Sequence, residues 1–422
     1  MKKILSLFLL LSLAFPSPIK NTLQNGLTVI VEPREVSQLV SISAIIKGGS
    51  FVEKTPGAAS LLLRLIPLGT KNHNKDELER IMEENLIDLQ TEINENYWSI
   101  SLLCPASSLR EAVKLLGEII FQPLLDEYDF ETERKKAISE IEELSSRPFI
   151  SAYARLRESL YGVNHPYARL INGTKESLQS LSLDELRSLH LSYFQPQNVF
   201  VAITGDVEAE KTMDIVRDSL GGFPKGEMIS LTYPSFYPLV HSEVDVIERA
   251  SPFAYLFVGI PLPGINNKDY PVFEIINTIL GKGTSSRIAK ALRWRMGISY
   301  DLGSLYAPLL GKSHLLVWAA VDPQRVEEAK EAILNEINSL DNVEQNELEK
   351  AKNKLIGDYI LSQAQLKNFS FGLAWFEAMG LGYDYIEKFP HLVKNINIWD
   401  VKKVVRRYLK GNVSVLLLIP SS

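Results

Sequence analysis

The order of apolar and polar positions lays out strands and helices along the whole chain. Leu23 to Val31 carries an Asn25-Gly26 turn ahead of a β-branched run, which reads as a strand entered from a tight turn. Val40 to Lys47 predicts another strand, ended by Gly48-Gly49. Gly57 to Leu68 predicts a buried helix, and Lys75 to Glu84 a more polar one. Strand character resumes from Thr91 to Cys104. After Pro105, the residues Leu109, Val113, Leu116 and Ile119 recur at helical spacing. A long charged helix over Phe130 to Leu144, a helix over Leu183 to Tyr193 and a strand over Asn198 to Gly205 complete this half.

The second half repeats the order. Ala254 to Ile260 predicts a strand, Tyr270 to Gly281 and Thr284 to Arg295 two helices, and Leu315 to Val321 a strand. An amphipathic helix from Val326 to Ile337 and a charged one from Asn346 to Gln363 come next. In each half a strand ends at a proline that opens an amphipathic helix, and a Glu/Lys-rich helix succeeds it. These landmarks lie about 217 residues apart (105 to 323, 133 to 349). Repeated order at a fixed offset is the mark of an internal duplication. The predicted fold is α+β, with two homologous domains, each a mixed and mostly antiparallel sheet flanked by helices. The expected divisions are a signal segment over 1–17, an N-terminal domain over 18–222, a Pro/Gly-rich linker over 223–238 and a C-terminal domain over 239–422.

Composition narrows the class. The 422 residues are 45% apolar and 23% charged, enough for a sizeable core in each half. The net charge is −6 and no Lys/Arg stripe appears, so no nucleic-acid partner is expected. Cys104 is the single cysteine, which excludes an intrachain disulfide and a Cys-rich metal site. Lys2-Lys3, an apolar run from Ile4 to Phe15 and the break at Pro16-Ser17-Pro18 read as a bacterial export signal, with a cut after Ala14 one option. The run is too short to span a bilayer as a helix; an uncleaved anchor is the alternative. No other segment is long enough to cross, so no stable membrane insertion is expected after cleavage, and the location is periplasmic or secreted.

Familiar catalytic patterns are missing. No two of the six histidines share a helical face, and there is no Gly-x-Ser-x-Gly elbow. Leu280-Gly281-Lys282-Gly283-Thr284-Ser285 lacks the Gly-Lys-Ser/Thr ending of a phosphate loop.

A specific resemblance lies elsewhere. Gly57-Ala58-Ala59-Ser60-Leu61-Leu62-Leu63-Arg64, closing at Gly69-Thr70, resembles the inverted zinc helix of the pitrilysin/insulinase peptidases, Gly-x-Ala-His-x-x-Glu-His closing in Gly-Thr. Further similar segments lie in order along the chain: Asn164-His165-Pro166-Tyr167, Gly173-Thr174, Gln195-Pro196-Gln197-Asn198, Thr204-Gly205-Asp206 and, in the second half, Leu292-Arg293-Trp294-Arg295 to Tyr300. The resemblance covers nearly all of the chain after the signal segment. It implies that Ser60 and Arg64 stand where the family has its zinc histidines and Leu63 where it has its general base. It makes Glu140, 77 residues after Leu63, the surviving third ligand position. A salt bridge between Arg64 and Glu140 is the favoured structural reading of that pair.

A zincin needs two neutral imidazoles, a carboxylate ligand and a second carboxylate to deprotonate the metal-bound water. Leu63 cannot take a proton, and Arg64 is permanently cationic. No metal and no catalytic residue of its own is therefore expected for this chain. The resemblance also implies that Arg293 and Tyr300 match the family's arginine–tyrosine pair, which donates hydrogen bonds to substrate. The expectation is a non-catalytic, substrate-binding subunit of a heterodimeric zinc metalloendopeptidase. Its partner would carry the intact zinc motif and the zinc, and its substrates would be unfolded peptides. A non-enzymatic scaffold or peptide-binding protein is the alternative.

Overall fold

The computed structural model describes residues 18–35, 38–145, 147–227, 229–233 and 238–421. The segment read as an export signal lies outside the described residues, as do parts of the linker.

Eleven strands form two sheets among the described residues. The first holds β1 (Ile19–Thr22), β2 (Thr28–Pro33), β3 (Leu39–Lys47), β4 (Asp88–Ile93), β5 (Tyr97–Pro105) and β6 (Val199–Gly205). The second holds β7 (Glu243–Arg249), β8 (Ala254–Pro263), β9 (Leu302–Tyr306), β10 (Lys312–Val321) and β11 (Ser414–Pro420). Their spatial orders are β1-β2-β6-β3-β5-β4 and β7-β11-β8-β10-β9. The pairs β2/β6 and β7/β11 are parallel, and every other neighbouring pair is antiparallel. With β1 set aside, one sheet maps onto the other strand for strand. The duplication read from spacing is thus a duplication of topology.

Six helices frame the clefts of the molecule: α1 (Ala58–Leu65), α2 (Glu127–Ser145), α3 (Pro148–Tyr161), α4 (Tyr270–Gly281), α5 (Gln345–Gln363) and α6 (Leu366–Ala378). Within the first half α1 packs on α2, and within the second α4 packs on α5. The other two are exchanged. Helix α3 lies on β8 and β11 of the second sheet, and α6 lies on β3 and β6 of the first. Alternation along β3 shows why. Val40, Ile42, Ala44 and Ile46 enter the core of the first half, while Ser41 and Ser43 turn to the other face and meet Ser370 of α6. On the second sheet, Leu156 and Leu160 of α3 pack with Phe257, Leu416 and Leu418. A Cβ on Gly259 would come within 2.8 Å of Leu160, so α3 seats close against β8. The exchanged helices sit 218 residues apart (148 to 366), close to the offset of the sequence landmarks.

Two expectations are corrected. Thr91 to Cys104 is not one strand but part of a hairpin, because Asn94-Glu95-Asn96 turns the chain with Asn94 N–H bonded to the Tyr97 carbonyl at 2.9 Å. The helix expected from Thr284 is a π-helix over Ala289–Arg295. Gly283 (φ +90°) breaks the chain ahead of it, and the Trp294 indole N–H takes the Thr284 carbonyl at 3.0 Å. Helices α3 and α6 and strands β7, β9 and β11 are additions to the predicted elements.

Candidate functional site

Helix α1 carries Ser60, Leu63 and Arg64. Its N-cap, Gly57, has no capping side chain. The buried Glu53 carboxyl group supplies the cap instead, accepting the backbone N–H of Gly57 at 3.1 Å and of Ala59 at 2.9 Å, while burial pushes its pKa up to about 8. The Trp98 indole of β5 donates to the Ala59 carbonyl at 3.0 Å, which ties the helix to the sheet. Ala58, Ala59, Leu61, Leu62, Leu63 and Leu65 are buried, leaving Ser60 and Arg64 half-exposed toward α2.

There Arg64 meets Glu140. Nη1 donates to Oε1 at 3.1 Å and Nη2 to Oε2, a bidentate fork, and Glu133 Oε2 lies 3.7 Å from Nη1. The hydrogen bond from Arg64 holds the Glu140 carboxyl below its ordinary range, and the same pairing raises the guanidinium. Ser60 Oγ donates to Asn172 Oδ1 at 2.9 Å, and Leu63 is 4% exposed within the core. The structure therefore brings Ser60, Arg64 and Glu140 to one α1–α2 cleft, pairs Arg64 with Glu140, and turns Leu63 into the core of the first half.

These residues do not fit zinc. The cleft offers Glu140, both of its oxygens already engaged by a guanidinium, and Glu133, 3.7 Å from the same guanidinium, beside a hydroxyl and no imidazole. Among the described residues no group of three or more His, Cys, Asp or Glu side chains is arranged to hold a metal. No hydrolytic step can be derived through a metal at this cleft.

Arg293 and Tyr300 do come together, but not as two free donors. Arg293 Nη2 donates to the backbone carbonyl of Tyr300, while the Tyr300 side chain is 77% exposed. Arg293 Nε is buried and has no partner. Tyr300 does not begin the strand; it lies in a bend before β9, which starts at Leu302, with Gly297 (φ +65°) turning the chain between them.

The other resembling segments hold the architecture. Tyr167 N–H donates to His165 Nδ1 at 3.0 Å, and Tyr167 OH donates to the Leu310 carbonyl at 2.5 Å, joining the two halves. Thr174 caps a short helix reciprocally with Ser177. Asn198 Nδ2 donates to the Lys47 and Tyr193 carbonyls at 2.7 and 2.9 Å.

One cluster escaped sequence reasoning. His314 of β10 sits between Tyr153 and Tyr161 of α3, with Nε2 2.8 Å and Nδ1 2.6 Å from their hydroxyls. Nearby, Lys312 Nζ donates to the Leu160 carbonyl at 2.6 Å, and Arg157 Nη2 lies 2.7 Å from Glu95 as a buried ion pair outside hydrogen-bonding geometry. Burial pushes His314 down to about 3 and Lys312 down to about 8. These residues are scattered from 95 to 314, and no local spacing announces them.

Comparison with known proteins places this architecture. Residues 28–173 match "Insulinase (Peptidase family M16)" and residues 180–355 match "Peptidase M16 inactive domain". A Bacillus subtilis protein, "Uncharacterized zinc protease YmxG", is 22% identical over 406 residues, covering 95% of this chain and 98% of that one. The "Non-peptidase homolog YmxG" of Helicobacter pylori is 24% identical over 257 residues, 60% of this chain and 59% of its own. The crystal structure of a peptidase M16 inactive domain from Pseudomonas fluorescens superposes with a TM-score of 0.89 at 20% identity, covering 96% of this chain and 98% of that one.

Proposed function

We infer, for a chain that belongs to the insulinase (M16) peptidase family, a role as the non-catalytic, substrate-binding subunit of a two-chain zinc metalloendopeptidase. The observation that carries this reading is the Arg64–Glu140 fork, which occupies the position where a hydrolytic member needs a metal, beside a Leu63 that cannot serve as the general base. Zinc and base then come from a partner subunit with an intact motif. This chain contributes the wall opposite. Arg293 and the exposed Tyr300 hydroxyl donate to a substrate carbonyl and to the oxyanion that develops on it. Arg293 reaches substrate by exchanging its bond to the Tyr300 carbonyl. Substrates are unfolded peptides, since an extended backbone is what such donors read. The complex works outside the cytoplasm, to which residues 1–17 direct the chain.

One observation favours a second reading. The Arg293 guanidinium is already bonded by its own chain, as in a protein that serves as scaffold and binds no substrate there.

Cleavage of a quenched fluorescent peptide separates the two. The chain is assayed alone, with a zinc-motif partner from the same genome, and with that partner plus an Arg293→Ala, Tyr300→Phe variant. Activity only in the wild-type mixture, lost in the variant, is the expected result. A partner fully active by itself and indifferent to this chain overturns the subunit reading and leaves the scaffold.

A further inference from the structure

The duplication leaves one difference between the two sheets. In the first, β2 pairs in parallel with β6 on one side and antiparallel with β1 on the other. In the second, β7 pairs in parallel with β11, and among the described residues no strand stands where β1 would be. Strand β7 is therefore an open edge at a position that the other half fills.

The backbone of that edge is ready for a further strand. The Glu243 N–H donates to the Val413 carbonyl at 3.2 Å, and the Arg249 carbonyl accepts the Ser421 N–H at 2.9 Å. Odd-numbered residues of β7 thus direct their backbone groups at β11. Val244, Val246 and Glu248 direct theirs outward, one donor and one acceptor each. Val244 and Val246 are 59% and 51% exposed, so the face they share is open as well. Helix α3 touches β7 on its other face, where Arg155 bonds Asp245 at 2.6 Å and Ser159 bonds Glu243 at 2.7 Å.

The residues of β7 decide which strand fits. Strand β1 runs antiparallel to β2, and a second β7 brought up by a two-fold axis also runs antiparallel. With the axis at Val246, the whole strand from Glu243 to Arg249 overlaps its copy. The outward groups then meet in hydrogen-bonded pairs, Val246 with Val246 of the copy and Val244 with Glu248. Glu243 falls opposite Arg249 at both ends, Asp245 falls opposite Ile247, and no like charges face each other. Glu243 and Arg249 are exposed, and each can bind more than one partner. Moving the axis to Asp245 sets two carboxylates face to face. Moving it to Ile247 takes Glu243 and Val244 out of the pairing.

We propose that β7 binds the β7 of a second copy of this chain across a two-fold axis at Val246, joining the two C-terminal sheets into one. This pairing goes beyond the subunit reading and does not rest on it. It uses neither the α1–α2 cleft nor Arg293 and Tyr300.

The test is analytical ultracentrifugation of the whole chain, without any partner, at rising concentration. A reversible monomer–dimer equilibrium is expected. Val246→Pro removes the donor at the axis but no bond to β11. The variant should keep its fold by circular dichroism and dimerise at least about tenfold more weakly. Glu243→Arg sets like charges opposite each other and should weaken the dimer about tenfold, and adding Arg249→Glu should restore it. Hydrogen exchange on the unaltered chain guards against a variant that misfolds: the Val244, Val246 and Glu248 amides should slow as concentration rises. A monomer at every concentration overturns the proposal. So does a dimer that Val246→Pro and Glu243→Arg leave unchanged. Because no zinc-motif partner is present, a failure here leaves the subunit reading standing.

Discussion

The two exchanged helices do the same topological job with opposite chemistry. Helix α6 meets the first sheet through small hydroxyls: Ser370 Oγ lies 2.8 Å from both Ser41 and Ser43, flanked by the buried Phe369 and Leu373. Helix α3 meets the second sheet through His314 of β10, held between Tyr153 and Tyr161, and its Arg157 reaches back to Glu95 in the turn between β4 and β5 of the first half. The duplicated backbone therefore fixes where a helix lies but not what holds it there. A small, mostly neutral contact loses stability in increments as atoms are removed. A buried polar network loses it abruptly, because each member leaves another unpaired.

The largest effect belongs to the charged side. Arg157→Met strands Glu95, which is 8% exposed, and removing one partner of a buried pair costs about 3–5 kcal/mol. Urea denaturation should show that loss; a change below about 1 kcal/mol would mean that the two contacts do not differ in kind. Next is acid sensitivity. Burial, with the Arg157 and Lys312 cations pushing the same way, lowers His314 to about 3, against about 6.5 in an unfolded chain. The unfolded state then binds the extra proton between these values. Stability from this residue is full above about pH 6.5 and is lost as pH falls toward 3, by a few kcal/mol at about 1.4 per pKa unit. Melting curves across that window should flatten in His314→Gln; an unchanged acid slope would assign it to other groups.

On the neutral side, Ser370→Ala removes its bonds to Ser41 and Ser43 and should cost about 1–2 kcal/mol, read from the denaturation midpoint. A loss as large as that of Arg157→Met would erase the contrast. The smallest effect is at the α1–α2 cleft. Glu140 is half in solvent, so a double-mutant cycle of Arg64→Ala and Glu140→Ala should give a coupling of about 0.5 kcal/mol, falling with added salt. Such a small coupling would mean the fork contributes little to folding.

Much of the local order was legible. The charged helix Lys75–Glu84 and the apolar helix Tyr270–Gly281 have the predicted bounds, because each carries its own start signal and periodicity. Leu63 could be read as unable to act as a base from its side chain alone. The turn at Asn94-Glu95-Asn96 is hidden in the pattern because strand-forming residues flank it on both sides. That Tyr300 lies ahead of its strand was not legible, because nothing in its neighbours shows that Arg293 would claim its carbonyl.

By itself the chain's sequence determined the duplication, the two mixed sheets and which chemical groups the α1–α2 cleft would contain. Those follow from residue type and from periodicity, which act over a few neighbouring residues. Only the tertiary structure decided that α3 and α6 change places, that His314 lodges between two tyrosines, and that Gln363 Oε1 and the Trp375 indole nitrogen are shut away from solvent without a partner. Each of these depends on side chains brought together from distant parts of the chain. Their cost or gain is set by burial, a property that no short stretch of sequence possesses.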